Sequence, residues 1–321
     1  MIIGITMGDP SGVGPELVLR AYKEDELKGS YIVVGDYEIL DYCNRKLMLQ
    51  VSLRKIRSIK EYEEGSLNIL DMGIMKLEEL KIGEISKKAG YAAMQYVKKA
   101  TELALEGEII AVVTLPMNKE ATRLSDPNFS GHTGYIAALC KEDSYTMMLA
   151  SDKLMVTHVS THVSMENAVK AVKKERVYEV IKLTYEALKR LKKDPKIAVA
   201  GLNPHAGENG AFGREELEEI IPAVEKAKKD GIKVEGPIAP DTVFLKAYKK
   251  EYDVVICMYH DQGHIPMKLL DFEGGVNVTL GLKIIRTSVD HGTAFDIAYK
   301  GIASTRSLVE AYNFAVKLAK S

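Results

Sequence analysis

The sequence predicts an α/β fold with mostly parallel sheets, arranged in two domains. Short apolar segments rich in β-branched residues alternate along the chain with longer amphipathic segments. This alternation is typical of strand–helix–strand units. The chain has 321 residues, of which 46% are hydrophobic, so it is long enough to form two domains with substantial cores.

The predicted elements follow one another without a repeat or a low-complexity tract. The predicted strands lie within residues 2–6, 31–35, 109–116, 146–151, 154–160, 196–202, 253–259 and 275–281. Apolar residues at helical spacing predict helices within residues 14–23, 87–106, 176–193, 214–230 and 305–320. The chain is expected to cross between domains in 125–134 and again near 272–275. The predicted domains are therefore 1–130 with 275–321, and 131–274.

Composition excludes several classes of function. The net charge of -1 gives no overall field that would attract nucleic acid or an anionic membrane surface. Apolar runs are shorter than about ten residues, and the first residues lack the pattern of a signal peptide, so we expect a cytoplasmic protein. Three widely spaced cysteines without a C-x-x-C motif are typical of reduced, buried thiols.

Three of the seven histidines follow predicted strands. His162, His205 and His260 come directly after the strand segments 154–160, 196–202 and 253–259. Ligand sites of open α/β sheets lie beyond the carboxyl ends of the strands, so these imidazoles are expected to converge. Three protein ligands with an open position for water or substrate are typical of a catalytic divalent metal site. A lone histidine would more often serve as a hydrogen-bonding or capping residue, but the shared placement favours the metal site.

The segment MYHDQGHIPMK (258–268) leaves the third of these strands. Two histidines four residues apart would share a face if the segment were a helix. Because Gly263 and Pro266 interrupt it, we expect His260 to lie in a loop instead. His158 and His264 are expected to support the metal ligands or to belong to the surrounding loops.

A second group of residues is suited to an anionic substrate. His132 and Thr133 stand at a predicted helix start, where free N–H groups favour a phosphate or carboxylate. Lys268 and Arg286 add positive charge and Asn277 adds a polar contact, although such residues are more often surface or salt-bridged groups.

Two residues are candidates for the general base of a reaction. Asp241 is expected at a helix start, either as its N-cap or as a base beside the metal. Lys119 is the second candidate, without a preference between the two.

The segment GDPSGVGPE (8–16) follows the first strand and opens a helix, as a dinucleotide-binding loop would. Asp36 ends the second strand, where an acid that binds the ribose would stand. The third glycine of that motif is replaced by Leu17, and Pro15 occupies the first helical turn. The segment therefore predicts a tight glycine turn near a ligand and argues against an ordinary Rossmann loop.

Taken together, the motifs resemble the 4-hydroxythreonine-4-phosphate dehydrogenase family. They are GDPSGVGPE, GHT, THVSM, GLNPHAGE, MYHDQGHIPMK and GVNVTLGLKIIRTSVDHGTAFDIA, in the family's order, from the first strand to about Ala303. The resemblance implies two α/β/α domains with a cleft between them, similar to isocitrate and isopropylmalate dehydrogenases. It also implies a homodimer with the site at its interface, where the neighbouring chain supplies one metal-binding histidine.

The resemblance also assigns residues and cofactors. It places one divalent ion (Zn, Co, Mn or Mg) on His162, His205 and His260. The substrate positions fall on His132, Thr133, Lys268, Asn277 and Arg286. NAD, or alternatively NADP, is expected with its adenosine against His291, Gly292, Thr293 and Ala294. The family reaction is oxidation of a secondary alcohol followed by loss of carbon dioxide, in which the metal stabilises the developing charge.

The substrate is expected to be a four-carbon phosphorylated hydroxy acid. The segments PMNKEA, THVSTHVS and HGTAFDIA are more similar to the 4-phospho-D-threonate and 4-phospho-D-erythronate dehydrogenase group, whose product is dihydroxyacetone phosphate. 4-Hydroxy-L-threonine 4-phosphate, used in pyridoxal phosphate biosynthesis, is the alternative substrate. A metal-dependent aldolase or phosphatase is a more distant alternative, and a non-catalytic metabolite-binding protein is the least favoured one.

Overall fold

The computed structural model describes residues 1–272 and 274–320, which form two compact units. The first unit contains Met1–Asp143 and Leu282–Lys320, and the second contains Ser144–Gly281. Glu273, within the expected return crossing, and Ser321 lie outside the described residues. In the described part, no helix is both long and apolar enough to cross a membrane.

The strands and helices are numbered here in chain order. The strands are β1 (Ile2–Thr6), β2 (Ser30–Gly35), β3 (Leu53–Ile56), β4 (Leu67–Asp71), β5 (Ala111–Thr114), β6 (Thr146–Ala150), β7 (Met155–His158), β8 (Ile197–Ala200), β9 (Val234–Ile238), β10 (Val254–Cys257), β11 (Val276–Leu280) and β12 (Ile285–Val289). The helices are α1 (Gly14–Lys23), α2 (Tyr37–Lys46), α3 (Lys87–Leu105), α4 (Lys119–Arg123), α5 (His132–Cys140), α6 (Met165–Ala171), α7 (Lys174–Lys189), α8 (Ile221–Lys229), α9 (Pro240–Tyr248), α10 (His260–Leu270) and α11 (Arg306–Ala319).

The first unit is built on parallel strands in the order β3-β4-β2-β1-β5-β12. Its strands read as nearly continuous apolar runs because parallel strands of this kind are buried on both faces. Helix α5 packs against α3 and so belongs to this unit. Both boundaries between the units, after Asp143 and after Gly281, therefore lie later in the chain than the sequence suggested.

In the second unit the strand order is β11-β6-β7-β10-β8-β9. Strand β6 is antiparallel to both of its neighbours, whereas β7, β10, β8 and β9 are parallel. Successive residues of a strand point to opposite faces. Accordingly, Val254 and Ile256 pack with residues of α7 and α8, while Val255 and Cys257 pack with residues of α9 and α10. The helices therefore cover both faces of this sheet, with α9 and α10 on one side.

The predicted elements are present, and the structure adds four strands that the sequence did not reveal. These are β3, β4, β9 and β12. Strands β3 and β9 are edge strands with several exposed or half-exposed residues, so they lack the apolar run by which the others are recognised.

The structure assigns Asp36 a structural role. Its side chain is buried, and its carboxylate accepts hydrogen bonds from Ile74 N (2.9 Å), Met75 N (2.7 Å) and the Tyr96 hydroxyl (2.7 Å). Burial raises the pKa of Asp36, and these three hydrogen bonds oppose that effect. The suggestion that Asp36 binds a ribose is therefore wrong, because its carboxylate is occupied by its own chain.

Replacement of Asp36 tests this role. Asp36→Ala leaves two backbone N–H groups and a phenol without their acceptor, and we expect the free energy of unfolding to fall by about 3 kcal/mol. Tyr96→Phe, which removes one of the three hydrogen bonds, should cost about 1 kcal/mol. Urea denaturation followed by circular dichroism measures both; an unchanged midpoint for Asp36→Ala would show that the carboxylate is not an anchor.

Candidate active site

A cluster of four histidines lies at the carboxyl ends of β7 and β10. The ring centroids of His162 and His260 are 5.6 Å apart, and those of His158 and His264 are 4.8 Å apart. His260 and His264 stack with ring centroids 3.5 Å apart and planes 11° from parallel. A cavity of about 280 Å³ is lined in part by His162, His260 and Asp261.

His260 begins helix α10, so the expectation that it lies in a loop is wrong. The helix continues through Gly263 and contains Pro266 in its interior. Its i,i+4 histidines lie on one face, as the spacing alone would have indicated. Proline at the seventh helical position removes one N–H donor from the hydrogen bonds of the helix. Two hydrogen bonds of the Gln262 side chain stabilise the first turn. This side chain accepts from Met258 N (2.6 Å) and donates to Gly201 O (2.8 Å).

Gly263 sets how closely α10 approaches β7. A Cβ atom at this position would lie 2.5 Å from His158 Nε2 and 3.0 Å from Cys257 Sγ, much closer than real contacts allow. The glycine therefore lets the helix lie directly on the buried His158 ring. Burial, with His264 and His260 nearby, lowers the pKa of His158 to about 3, and burial together with His260 lowers the pKa of His264 to about 4.

The loop that carries His162 is attached to the exit of β10. The Ser160 hydroxyl donates to Met258 O (3.0 Å), and Val159 N donates to Cys257 O (2.8 Å). These bonds hold the two strand exits together, which explains why His162 and His260 meet. The sequence predicted this convergence from the strand ends alone.

His205 lies in an unusual loop at the end of β8. From His205 to Asn209 every residue is in the left-handed region, with φ of 53° at His205. Four of these five residues are not glycine, so the run is energetically costly, and strained backbone of this kind concentrates at functional sites. The Glu216 carboxylate, which is buried, supports the loop by accepting from Leu202 N and Asn203 N, both at 2.7 Å.

The structure does not bring His205 together with the other two histidines within one chain. Its side chain is 68% exposed, and its ring lies 6.0 Å from the exposed Phe212. Among residues 1–272 and 274–320, no three histidine, cysteine or acidic side chains are grouped closely enough to hold a metal ion. One chain thus offers two imidazoles at the cavity and a third on a separate exposed loop.

Three of the predicted substrate residues lie in the first unit. Helix α5 begins at His132, with Thr133 in its first turn, as predicted. Burial lowers the pKa of His132 well below its usual value, and the nearby Arg286 and Lys119 cations lower it further. Within the described part of the chain, the buried His132 Nε2 has no hydrogen-bond partner. The ring is therefore a neutral imidazole with one nitrogen available to a ligand.

Arg286 is fully buried on β12 beside this histidine. Its Nη2 donates to the Thr114 hydroxyl at the end of β5 (2.7 Å), and burial lowers its pKa to about 9. The guanidinium remains protonated at neutral pH and presents positive charge in a low-dielectric surrounding. The side chain of Lys119 lies over Gly131, immediately before His132. Thr114 was not among the predicted site residues, although it lies within the predicted strand 109–116.

The two remaining substrate candidates lie in the second unit. Asn277 on β11 donates from Nδ2 to Met147 Sδ (3.0 Å), while its buried Oδ1 has no hydrogen-bond partner among the described residues. Lys268 projects from α10, with its ammonium 5.3 Å from the ring centroid of Phe272. Both lie in the same unit as the histidine cluster.

Asp241 is exposed in the first turn of α9. The N-cap of α9 is Ala239, so the suggestion that Asp241 caps the helix is wrong; Pro240 occupies the first helical position instead. Its exposed carboxylate remains a candidate for the general base, and Lys119 is the other candidate.

The predicted cofactor loop, His291 to Ala294, lies against the glycine turn of GDPSGVGPE. Val13 N donates to Thr293 O (3.0 Å), and a Cβ at Gly12 would lie 2.8 Å from the same oxygen. The glycine turn is thus filled by this loop of its own chain, in agreement with the expectation that it is not an ordinary Rossmann turn.

The chain is similar to known proteins along nearly its whole length. A sequence model of the family "Pyridoxal phosphate biosynthetic protein PdxA" matches residues 28–315. The D-threonate 4-phosphate dehydrogenase of Salmonella typhimurium is 46% identical over 99% of this chain and 98% of its own length. That of Pectobacterium atrosepticum is 46% identical over 99% of both chains. The crystal structure of 4-hydroxythreonine-4-phosphate dehydrogenase from Klebsiella pneumoniae superimposes with a TM-score of 0.90, at 40% identity over 99% of both chains.

The fold and these full-length similarities define an α/β oxidoreductase, a dehydrogenase. The chain belongs to the PdxA family. The resemblance inferred from the motifs is thereby confirmed, as is the α/β fold class. Neither the aldolase or phosphatase alternative nor the non-catalytic alternative is retained.

The close approach at Gly263 can be tested by adding one methyl group. Gly263→Ala forces α10 away from His158, and we expect it to lower the free energy of unfolding by about 1–3 kcal/mol. Gly292→Ala is the matched control for stability, because a Cβ there meets no atom within 4 Å. Thermal unfolding of both variants measures the difference; equal melting temperatures would show that α10 does not depend on the contact.

Proposed function

We propose that the protein catalyses the NAD- and divalent-metal-dependent oxidative decarboxylation of D-threonate 4-phosphate. The geometric observation that carries this proposal is the His162–His260 pair, with ring centroids 5.6 Å apart, at a cavity beyond the carboxyl ends of β7 and β10. The names of the Salmonella and Pectobacterium relatives support the choice of substrate.

His162 and His260 of one chain, with His205 of a second chain, would hold the metal. Imidazoles are suitable ligands for zinc, cobalt or manganese, and magnesium is a weaker match for three nitrogen donors. When bound, the ion would act as a Lewis acid toward the hydroxyl and the ketone oxygen. The exposed His205 and its neighbour Phe212, 52% exposed, are available to a second chain. Next to His162, Val163 and Met165 are likewise exposed, at 51% and 59%.

These observations support the proposed homodimer. Exposed hydrophobic side chains flank both His162 and His205, and such side chains are favoured at contacts between subunits. A cyclic pair would place the His205 loop of each chain against the His162–His260 cavity of the other, so that each dimer carries two equivalent sites.

The anionic ends of the substrate would be held by the positively charged and polar residues described above. The buried Arg286 supplies a cation, and Lys268 a second one. The neutral His132, whose Nε2 is available, and Asn277, whose Oδ1 is available, can hydrogen-bond substrate hydroxyls. Thr133 contributes its hydroxyl and an N–H of the first turn of α5.

In the proposed reaction, the C3 hydroxyl of D-threonate 4-phosphate loses its proton to a base, for which Lys119 and Asp241 are the candidates. NAD, which would be held with its adenosine against His291–Ala294, would supply the acceptor for the hydride that leaves the same carbon. The resulting β-keto acid releases C1 as carbon dioxide, and protonation of the carbon left behind gives dihydroxyacetone phosphate. Charge that develops on the oxygen at C3 has to be neutralised by the cationic surroundings of the site.

A second candidate substrate is 4-hydroxy-L-threonine 4-phosphate. The description of the family model and the Klebsiella structure favour it. The two substrates differ in a hydroxyl or an amino group at the carbon next to the carboxylate. An ammonium group would add a positive charge beside a site that already contains Arg286 and Lys119, which favours the hydroxy acid.

Measurement of reduced nicotinamide at 340 nm would decide between the substrates. We expect kcat/KM for D-threonate 4-phosphate to exceed that for 4-hydroxy-L-threonine 4-phosphate by at least about tenfold, equivalent to about 1.4 kcal/mol. D-Erythronate 4-phosphate and NADP are assayed alongside. A preference for the amino acid would assign the protein to the pyridoxal phosphate pathway instead.

Complementation between two inactive variants tests the shared site. His205→Ala and His260→Ala should each be inactive alone. If each site takes His205 from the other chain, a mixed dimer of the two variants contains one intact site, and random mixing restores about one quarter of the wild-type activity. If all three histidines of a site came from one chain, every site in the mixture would carry a substitution and activity would stay at background.

A further inference from the structure

A second cavity lies in the first unit, between the end of α1 and the loop that joins β3 to β4. Its volume is about 450 Å³, within the range of pockets that bind small organic molecules. Tyr22, Tyr31 and Tyr62 line it, together with the acidic residues Asp25 and Glu64. None of these residues belongs to the proposed metal, substrate or cofactor site.

The tyrosine rings are arranged almost at right angles. Tyr31 meets Tyr22 at an interplanar angle of 71° with centroids 6.4 Å apart, and meets Tyr312 at 72° and 5.5 Å. The Tyr312 hydroxyl donates to Lys28 O (2.8 Å), which holds the Tyr312 ring in place against Tyr31. Of these rings, Tyr22 and Tyr31 line the cavity, and they provide two adjoining aromatic walls of the kind that proteins use to surround an ammonium group.

The charge of the cavity favours a cation. Of its charged residues, Lys28 is paired with Asp25, whereas the carboxylate of Glu64 makes no hydrogen bond or ion pair within residues 1–272 and 274–320. Burial and the neighbouring tyrosines raise the pKa of Tyr31, and burial and Tyr62 raise that of Tyr312 to about 12, so these phenols are neutral. Glu64 thus leaves the aromatic cavity with one uncompensated negative charge.

The geometry points to this cavity, the Tyr22–Tyr31–Tyr62 pocket, as a binding site for a small organic ammonium ion. The ring faces provide cation–π contacts and Glu64 provides the counter-charge. An anion is disfavoured because Lys28, the one cation among the described residues that line the pocket, is already paired with Asp25. The pocket lies outside the active site, so an ion bound there is a second ligand of the enzyme and not a substrate.

Calorimetric titration with choline tests the proposal, with 3,3-dimethyl-1-butanol as the neutral molecule of the same shape and sodium chloride as the ionic-strength control. We expect saturable binding of choline by the full chain and at least about threefold weaker binding of the neutral alcohol, as cation–π and charge contacts of moderate strength would give. Equal binding of the two, or no saturable binding of choline, would overturn the proposal.

Variants locate the binding. Glu64→Gln and Tyr62→Leu should each weaken choline binding by about threefold or more, whereas Tyr62→Phe, which retains the ring, should bind nearly as the wild type does. Glu63→Gln is the matched control, since Glu63 is paired with Arg54 (2.5 Å) and does not line the pocket. Choline binding that is unaffected by both Glu64→Gln and Tyr62→Leu would place it elsewhere and refute the assignment.

Discussion

The close contact between helix α10 and strand β7 determines the geometry of the candidate metal site. It depends on Gly263, which leaves room for the buried His158 ring against the helix backbone. With the helix held there, His260 at its first position faces His162, and His264 one turn later stacks on His260. Gln262 adds hydrogen bonds to the exits of β10 and β8. The His158 and His264 rings next to His260 are neutral, so they would place no second positive charge beside an ion bound there.

In the first unit, burial surrounds a charged side chain instead of neutral ones. Arg286 remains a cation although it is fully buried, because even a pKa of about 9 leaves it protonated at neutral pH. Burial keeps His132 neutral by lowering its pKa, and the charges of Arg286 and Lys119 lower that pKa further. In the proposed function, this positive charge would attract an anionic part of the substrate.

Much of this organisation could be predicted from the sequence, since strand ends in α/β sheets converge by topology. His162, His205 and His260 were predicted at strand ends and His132 at a helix start, and the structure brings His162 and His260 together because β7 and β10 are neighbouring strands. The helical state of residues 260–270 could not be foreseen, because it depends on tertiary bonds from Gln262 that override the glycine and the proline. The buried role of Asp36 depends on partners 38 to 60 residues away, which local patterns do not reveal.

The central claim is that His162 and His260 of one chain and His205 of another bind the same ion. Anomalous diffraction from crystals grown with zinc, recorded on both sides of the zinc absorption edge, tests it most directly. A metal site shared between two chains predicts one zinc peak per chain, about 2.0–2.1 Å from an imidazole nitrogen of each of these three histidines. A peak bound only by residues of a single chain, or none at His162 and His260, would contradict it.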